Sequence, residues 1–152
     1  MPTPIDAMNG KSLLVQIGDG ESPEVFAHDC LINTTRGIQF ASETNRETLP
    51  NCPDDDDTPG WSVVTVDGLS ATINGAGMLH TTSVPDWDAW FRSGESKNVR
   101  VLLNNVSSAK GGGHWAGPFK LTGWEVGGER TGRATSSVTL ESDGEVAWVD
   151  AA

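Results

Sequence analysis

The sequence predicts a mainly β protein: an antiparallel β-sandwich or barrel with one flanking α-helix. Three observations carry that prediction. Val is the commonest large apolar residue and Thr is abundant, which suits a pleated, half-buried surface better than a helix. Short apolar runs are separated by Gly, Asp-Gly and Pro signals along most of the chain. Only one stretch has helical spacing, and strands precede and follow it, so there is no βαβ alternation and no parallel sheet.

The elements follow in order. Met1–Gly10 holds two Pro and no periodicity, and reads as a flexible N-terminal arm. Residues 11–152 then read as a single domain, since 152 residues is about one domain's length. A strand is expected at Ser12–Ile17, closed by Gly18-Asp19-Gly20, with short strands at Glu24–His28 and Leu31–Arg36. Ile38–Asn45 alternates, Ile38, Phe40 and Ser42 facing one way and Gln39, Ala41 and Glu43 the other. Arg46–Gly60, with three Pro and the run Asp54–Asp57, has no period of either kind and reads as a long loop. Trp61–Val66 and Leu69–Gly75 flank Asp67-Gly68, a dipeptide suited to a type I′ turn, and so predict a hairpin.

The helix is expected over Ser83–Arg92. Ser83 is a candidate cap, Pro85 sits in the first turn, and Asp86 and Asp88 favour the positive end of the helix dipole. Trp87, Trp90 and Phe91 fall at i, i+3 and i+4, one aromatic stripe for packing, and Gly94 is the stop signal. Asn98–Asn104 reads as a strand and Ser107–Gly113 as a loop. Trp115–Leu121, Trp124–Val126, Ala134–Leu140 and Val146–Val149 read as a closing meander.

Charge and motifs narrow the function. There are 21 acids and 10 bases, a net charge of −11, which repels nucleic acid. Met1 to Gln16 lacks a basic n-region and a long apolar run, so no secretory leader is expected. No stretch approaches the ~18 apolar residues of a membrane span. The sequons at Asn33 and Asn105 therefore carry no weight, and Cys30 and Cys52 read as reduced thiols of a cytoplasmic protein.

Asp54–Asp57 offers hard oxygen ligands for Ca²⁺. Counted from Asp55, however, Gly60 falls at position six and Val66 where an EF-hand needs Glu, so the run reads as a solvated acidic loop. His28, Cys30 and Cys52 lack the close pairing of a zinc site. There is no G-x-S-x-G elbow, and Lys110-Gly111-Gly112-Gly113 lacks the Walker spacing. The expectation is a structural or binding protein with no catalytic residues, metal or cofactor. One binding reading is a carbohydrate-binding β-sandwich that uses some of the six Trp and a Ca²⁺-binding acidic loop.

The order of elements carries a resemblance. It begins at Gly60-Trp61, passes through Gly75-Ala76-Gly77-Met78-Leu79 to the helix with Trp87, Trp90 and Phe91, and reaches the strand Asn98–Leu103. Gly117-Pro118-Phe119, the Ser/Thr-rich strand Ala134–Leu140 and the turn Asp143-Gly144 complete it. Over residues 8 to 149 the chain resembles the major tail tube protein of long-tailed bacteriophages and gene transfer agents. The resemblance implies a virion protein, assembled in the host cytoplasm, whose hexameric rings stack into a tube and join other tail proteins. DNA would pass through the lumen without specific binding. Trp87, Trp90, Phe91 and Asp54, Asp55, Asp56 and Asp57 would then serve packing or assembly, although the Asp run matches no pattern of that family.

Overall fold

The computed structural model describes residues 2–20, 23–52 and 58–151. Eight strands and one helix are built from them: β1 (Leu13–Gly18), β2 (Phe26–His28), β3 (Thr35–Thr48), β4 (Ser62–Met78), α1 (Val84–Ser93), β5 (Ser96–Leu103), β6 (Gly113–Gly127), β7 (Thr135–Ser142) and β8 (Ala147–Asp150). All pairings are antiparallel, in the order β2-β1-β5-β6-β7-β4-β3, with β8 joined to β6. The sheet does not close, and the arrangement is sandwich-like as expected.

Strand β6 makes the fold. Its first half (114–120) pairs with β5 and its second half (119–127) with β7, while β8 fills the side that β7 leaves free at 113–116. One long strand thus belongs to both layers and folds the sheet back on itself. The core lies between the layers: Val15, Val99 and Val101 from one side, Ile73, Val138 and Leu140 from the other, all at most 2% exposed. Phe40 of the edge strand β3 meets Trp115 of the central strand β6 at 5.4 Å between ring centroids, so the end of the pairing order folds back toward its middle.

Two expected breaks are absent, for one reason. Asp67-Gly68 is not a hairpin turn, because β4 runs straight through it for 17 residues. Trp115–Leu121 and Trp124–Val126 are likewise a single strand, β6. A type I′ turn needs positive φ at both central residues. Neither Gly68 nor Gly123 adopts it, whereas Gly20, Gly94, Gly111 and Gly144 do. Each break is instead a β-bulge. The β3–β4 register shifts between Glu43 and Thr44, and the β6–β7 register shifts between Leu121 and Gly123. A bulge adds one residue without ending the ladder. Thr122 is the extra residue in β6, so that Leu121 and Trp124 both face the core, opposite Leu140 and Val138.

The segment from Leu31 to Thr34 is not strand either; β3 starts at Thr35. Leu31 and Ile32 are almost wholly buried in a turn held by Leu31 N–H to Asp29 Oδ1 (2.8 Å) and Ile32 N–H to Asp29 O (3.2 Å). Apolar side chains here plug the core from a loop, a pattern that mimics a strand in sequence.

The helix forms as expected, with one correction. Ser83 makes no side-chain cap; it closes a 3₁₀ turn (Thr81–Ser83) that continues directly into α1. Gly94 ends the helix in the left-handed conformation (φ 68°). Trp87 and Trp90 are buried and pack at 5.4 Å. Trp90 also donates its indole N–H to Glu95 O at 2.8 Å. Phe91 is 44% exposed, because its position lies at the edge of the stripe where the helix turns to solvent.

Candidate assembly surface

Strand β3 pairs with β4 over its whole length, from Thr35↔Ala76 to Thr48↔Ser62, and the ladder continues through Leu49 N–H to Trp61 O (3.0 Å). Arg46–Thr48 therefore belong to a strand, and the connection spans residues 49–61. Only the proximal half of this ribbon is backed by the core. Beyond Phe40 in β3 and Ala71 in β4, every residue out to Thr48 and Ser62 but one, the half-buried Gly68, is exposed. The distal part extends ~27 Å, about eight residues of β3 at ~3.4 Å each.

The bulge decides what the ribbon's faces carry. Gly68 pairs with Glu43 and Val66 with Thr44, leaving Asp67 as the extra residue. Leu69, Val66 and Val64 then continue the core-facing row of Ile73 and Ala71 out into solvent. Unbulged pairing would have put Asp67, Thr65 and Val63 there instead. The opposite face holds Glu43, Glu47 and Asn45 beside Thr65 and Val63.

Leu69 is 83% exposed, Val66 57% and, at the tip, Trp61 87%. An isolated two-stranded ribbon is marginal in water, and a contiguous exposed apolar row marks an interaction surface. At its base the row runs into a groove of about 840 Å³ lined by Phe40, Leu69, Ala71 and Val146.

The other expected site residues fall elsewhere. Trp87 and Trp90 are core, and Asp54, Asp55, Asp56 and Asp57 lie outside the described residues. Among the described residues no group of three His, Cys, Asp or Glu side chains could hold a metal ion. Cys30 and Cys52 are exposed free thiols. His28 is taken up by the backbone, its ring nitrogens 2.9 Å from Val15 O and 3.0 Å from Ile32 O.

A sugar platform finds little support among the tryptophans. Trp87 and Trp90 are buried and Trp115 and Trp124 pack against the core, which leaves Trp61 and Trp148 exposed at separate places. The apolar row of the ribbon is what sequence reading missed. The Val-rich run Trp61–Leu69 was its signal, hidden by taking Asp67-Gly68 for a turn.

Similar solved structures come from tails and tail-bearing particles. The tail of an empty gene transfer agent particle, refined with helical and C6 symmetry, superposes with a TM-score of 0.74 at 24% identity, covering 94% of this chain and 99% of that one. The virion of a native gene transfer agent particle gives 0.72 at 23% identity with the same coverage. The SPP1 tail tube gives 0.62 at 10% identity, covering 92% of this chain and 78% of that one. These likenesses show a shared fold. No curated protein sequence matches the chain. The family model described as phage tail tube protein matches residues 7–147, nearly the whole chain, and the chain belongs to that family.

Proposed function

We propose that this chain, a structural tail tube protein by family, assembles as hexameric rings that stack through the β3–β4 ribbon. The observation that carries this is the apolar row Leu69, Val66 and Val64, which continues the core face into solvent with nothing among the described residues to cover it. A ribbon that a monomer cannot stabilise is a contact awaiting another copy. A contact between different surfaces that does not close on itself propagates as a filament, which suits a stack. The similar tail of the gene transfer agent particle was refined with C6 and helical symmetry, in keeping with six copies per ring.

In this reading the tube is a component of the virion, assembled in the host cytoplasm and joined to other tail proteins. It conducts DNA without binding it, and the chain performs no catalysis. Excess acid on the subunit serves passage, since basic contacts to phosphate would release counterions and hold the duplex. Electron microscopy and sedimentation of the purified protein test the proposal. Rings or tubes that grow with concentration are expected, and a species that stays monomeric at every concentration overturns it.

A further inference from the structure

Strands β1, β5 and β6 bury one row of side chains and turn the other away from the core. Around Arg100 the outward row is half-buried, with Leu14, Leu102 and Ala116 beside Gln16 and His114, while Lys120 farther along β6 is exposed. The Arg100 guanidinium lies over the Phe26 ring of β2, 3.8 Å from its centroid. Among the described residues its buried Nε has no hydrogen-bond partner and the side chain makes no ion pair. The nearby carboxylate Glu24 is already engaged, accepting from Asn98 Nδ2 (2.9 Å) and from Gly20 N–H (3.1 Å). His114, on the same outward row, feels the Arg100 charge.

A half-buried guanidinium in a chain with twice as many acids as bases should have found a carboxylate. Leaving it without an acceptor is costly. Stacking on Phe26 fixes the plane of the fork and leaves its edge available for a bidentate acceptor. Arg flanked by apolar side chains is also the composition of a protein interface core. Phosphate is the poorer occupant, because the whole subunit carries −11 and repels a polyanion. A second copy of this chain, by contrast, presents an excess of carboxylates at matched stoichiometry.

We propose that Arg100, seated on Phe26 beside His114, receives a carboxylate from a neighbouring copy of this chain and anchors a subunit interface distinct from the β3–β4 ribbon. The inference rests on the reading of the chain as a tube subunit.

Two measurements test it. Arg100→Gln should fold with an unchanged melting temperature and raise the concentration needed for assembly by at least ~30-fold, as expected when one member of a buried charge pair is removed. Arg100→Lys, which keeps the charge but loses the fork, should fall between. A folded Arg100→Gln subunit that assembles like wild type overturns the proposal. If that variant does not fold, a cryo-EM reconstruction of wild-type tubes decides. It should place a carboxylate of an adjacent copy within ~4 Å of the guanidinium; an Arg100 facing solvent or bound DNA overturns the proposal. Wild-type protein that forms no rings overturns the tube reading together with this one. Wild-type and Arg100→Gln tubes that form equally well overturn this inference alone.

Discussion

Trp87 of α1 and Trp124 of β6 stack with their ring planes 9° apart and their centroids 6.3 Å apart. The pair ties the only helix among the described residues to the strand that joins both layers, and Trp124 reaches the core face only because Thr122 is bulged out. Trp87 is 2% exposed. Trp87→Ala should therefore destabilise the subunit by ~3–5 kcal/mol, the usual cost of emptying a buried aromatic site. Trp90→Ala should cost a similar amount. Urea denaturation followed by circular dichroism measures both, and a midpoint near wild type would contradict the packing role of the helix.

Val66→Asp should separate folding from assembly. The side chain lies on the exposed apolar row of the ribbon, away from the core cluster, so the isolated subunit should lose no more than about 0.5 kcal/mol. Tubes should fail to form, because a charge would be buried against the next copy. Thr65→Asp, on the opposite and already acidic face, should assemble more nearly like wild type. Negative-stain micrographs at matched concentrations give the comparison, and equal assembly of both variants would remove the ribbon's apolar row from the interface.

His114 gives a pH dependence with a definite sign. Burial lowers its pKa below the usual 6.5, and the nearby Arg100 charge lowers it further. The unfolded chain then takes up a proton at a higher pH than the folded subunit does. The contribution is fully present above about pH 6.5 and is lost as pH falls through the folded value. Wild type should thus lose stability relative to His114→Gln as pH drops from 7 toward 5. Melting temperatures of the two proteins across that range test this, and a difference independent of pH would refute it.

Tubes of this protein should not retain duplex DNA. Each phosphate held by Lys or Arg would add roughly 0.9 to the salt slope of binding, and a subunit of net charge −11 can line a duct without such contacts. Co-sedimentation of assembled tubes with short duplexes at ~50 mM salt, where screening is weak, is the measurement. Retained DNA, or a reconstruction in which inward-facing Lys and Arg outnumber Asp and Glu, would overturn the expectation.

Much of this architecture was legible one residue at a time. The alternation of Ile38–Asn45 located β3, the spacing of Trp87 and Trp90 located the buried side of α1, and Gly94 marked its end, because each depends on neighbours within a turn or a few residues. The absence of catalytic motifs and the order of elements led to the tail tube family without any coordinates.

The strand breaks were not legible, since Asp67-Gly68 has the same composition in a hairpin turn and in a bulge. The choice is made by pairing with residues far away in sequence: Glu43 and Thr44 for β4, Thr139 and Leu140 for β6. Leu31 and Ile32 were misread as strand for a related reason, since burial in a loop and burial in a sheet select the same side chains.

Composition and local periodicity thus determined by themselves that this is an acidic, strand-rich chain with one amphipathic helix. Tertiary structure alone decided which apolar residues the fold covers. Val138 and Val66 are the same residue type in similar strands, but Val138 sits in the core beside its cross-strand partner Trp124, on which Trp87 of the helix stacks. The ribbon carrying Val66 extends past the last element that could cover it. Burial is a property of what lies opposite, and for Val66, Leu69 and Trp61 nothing in the described chain does.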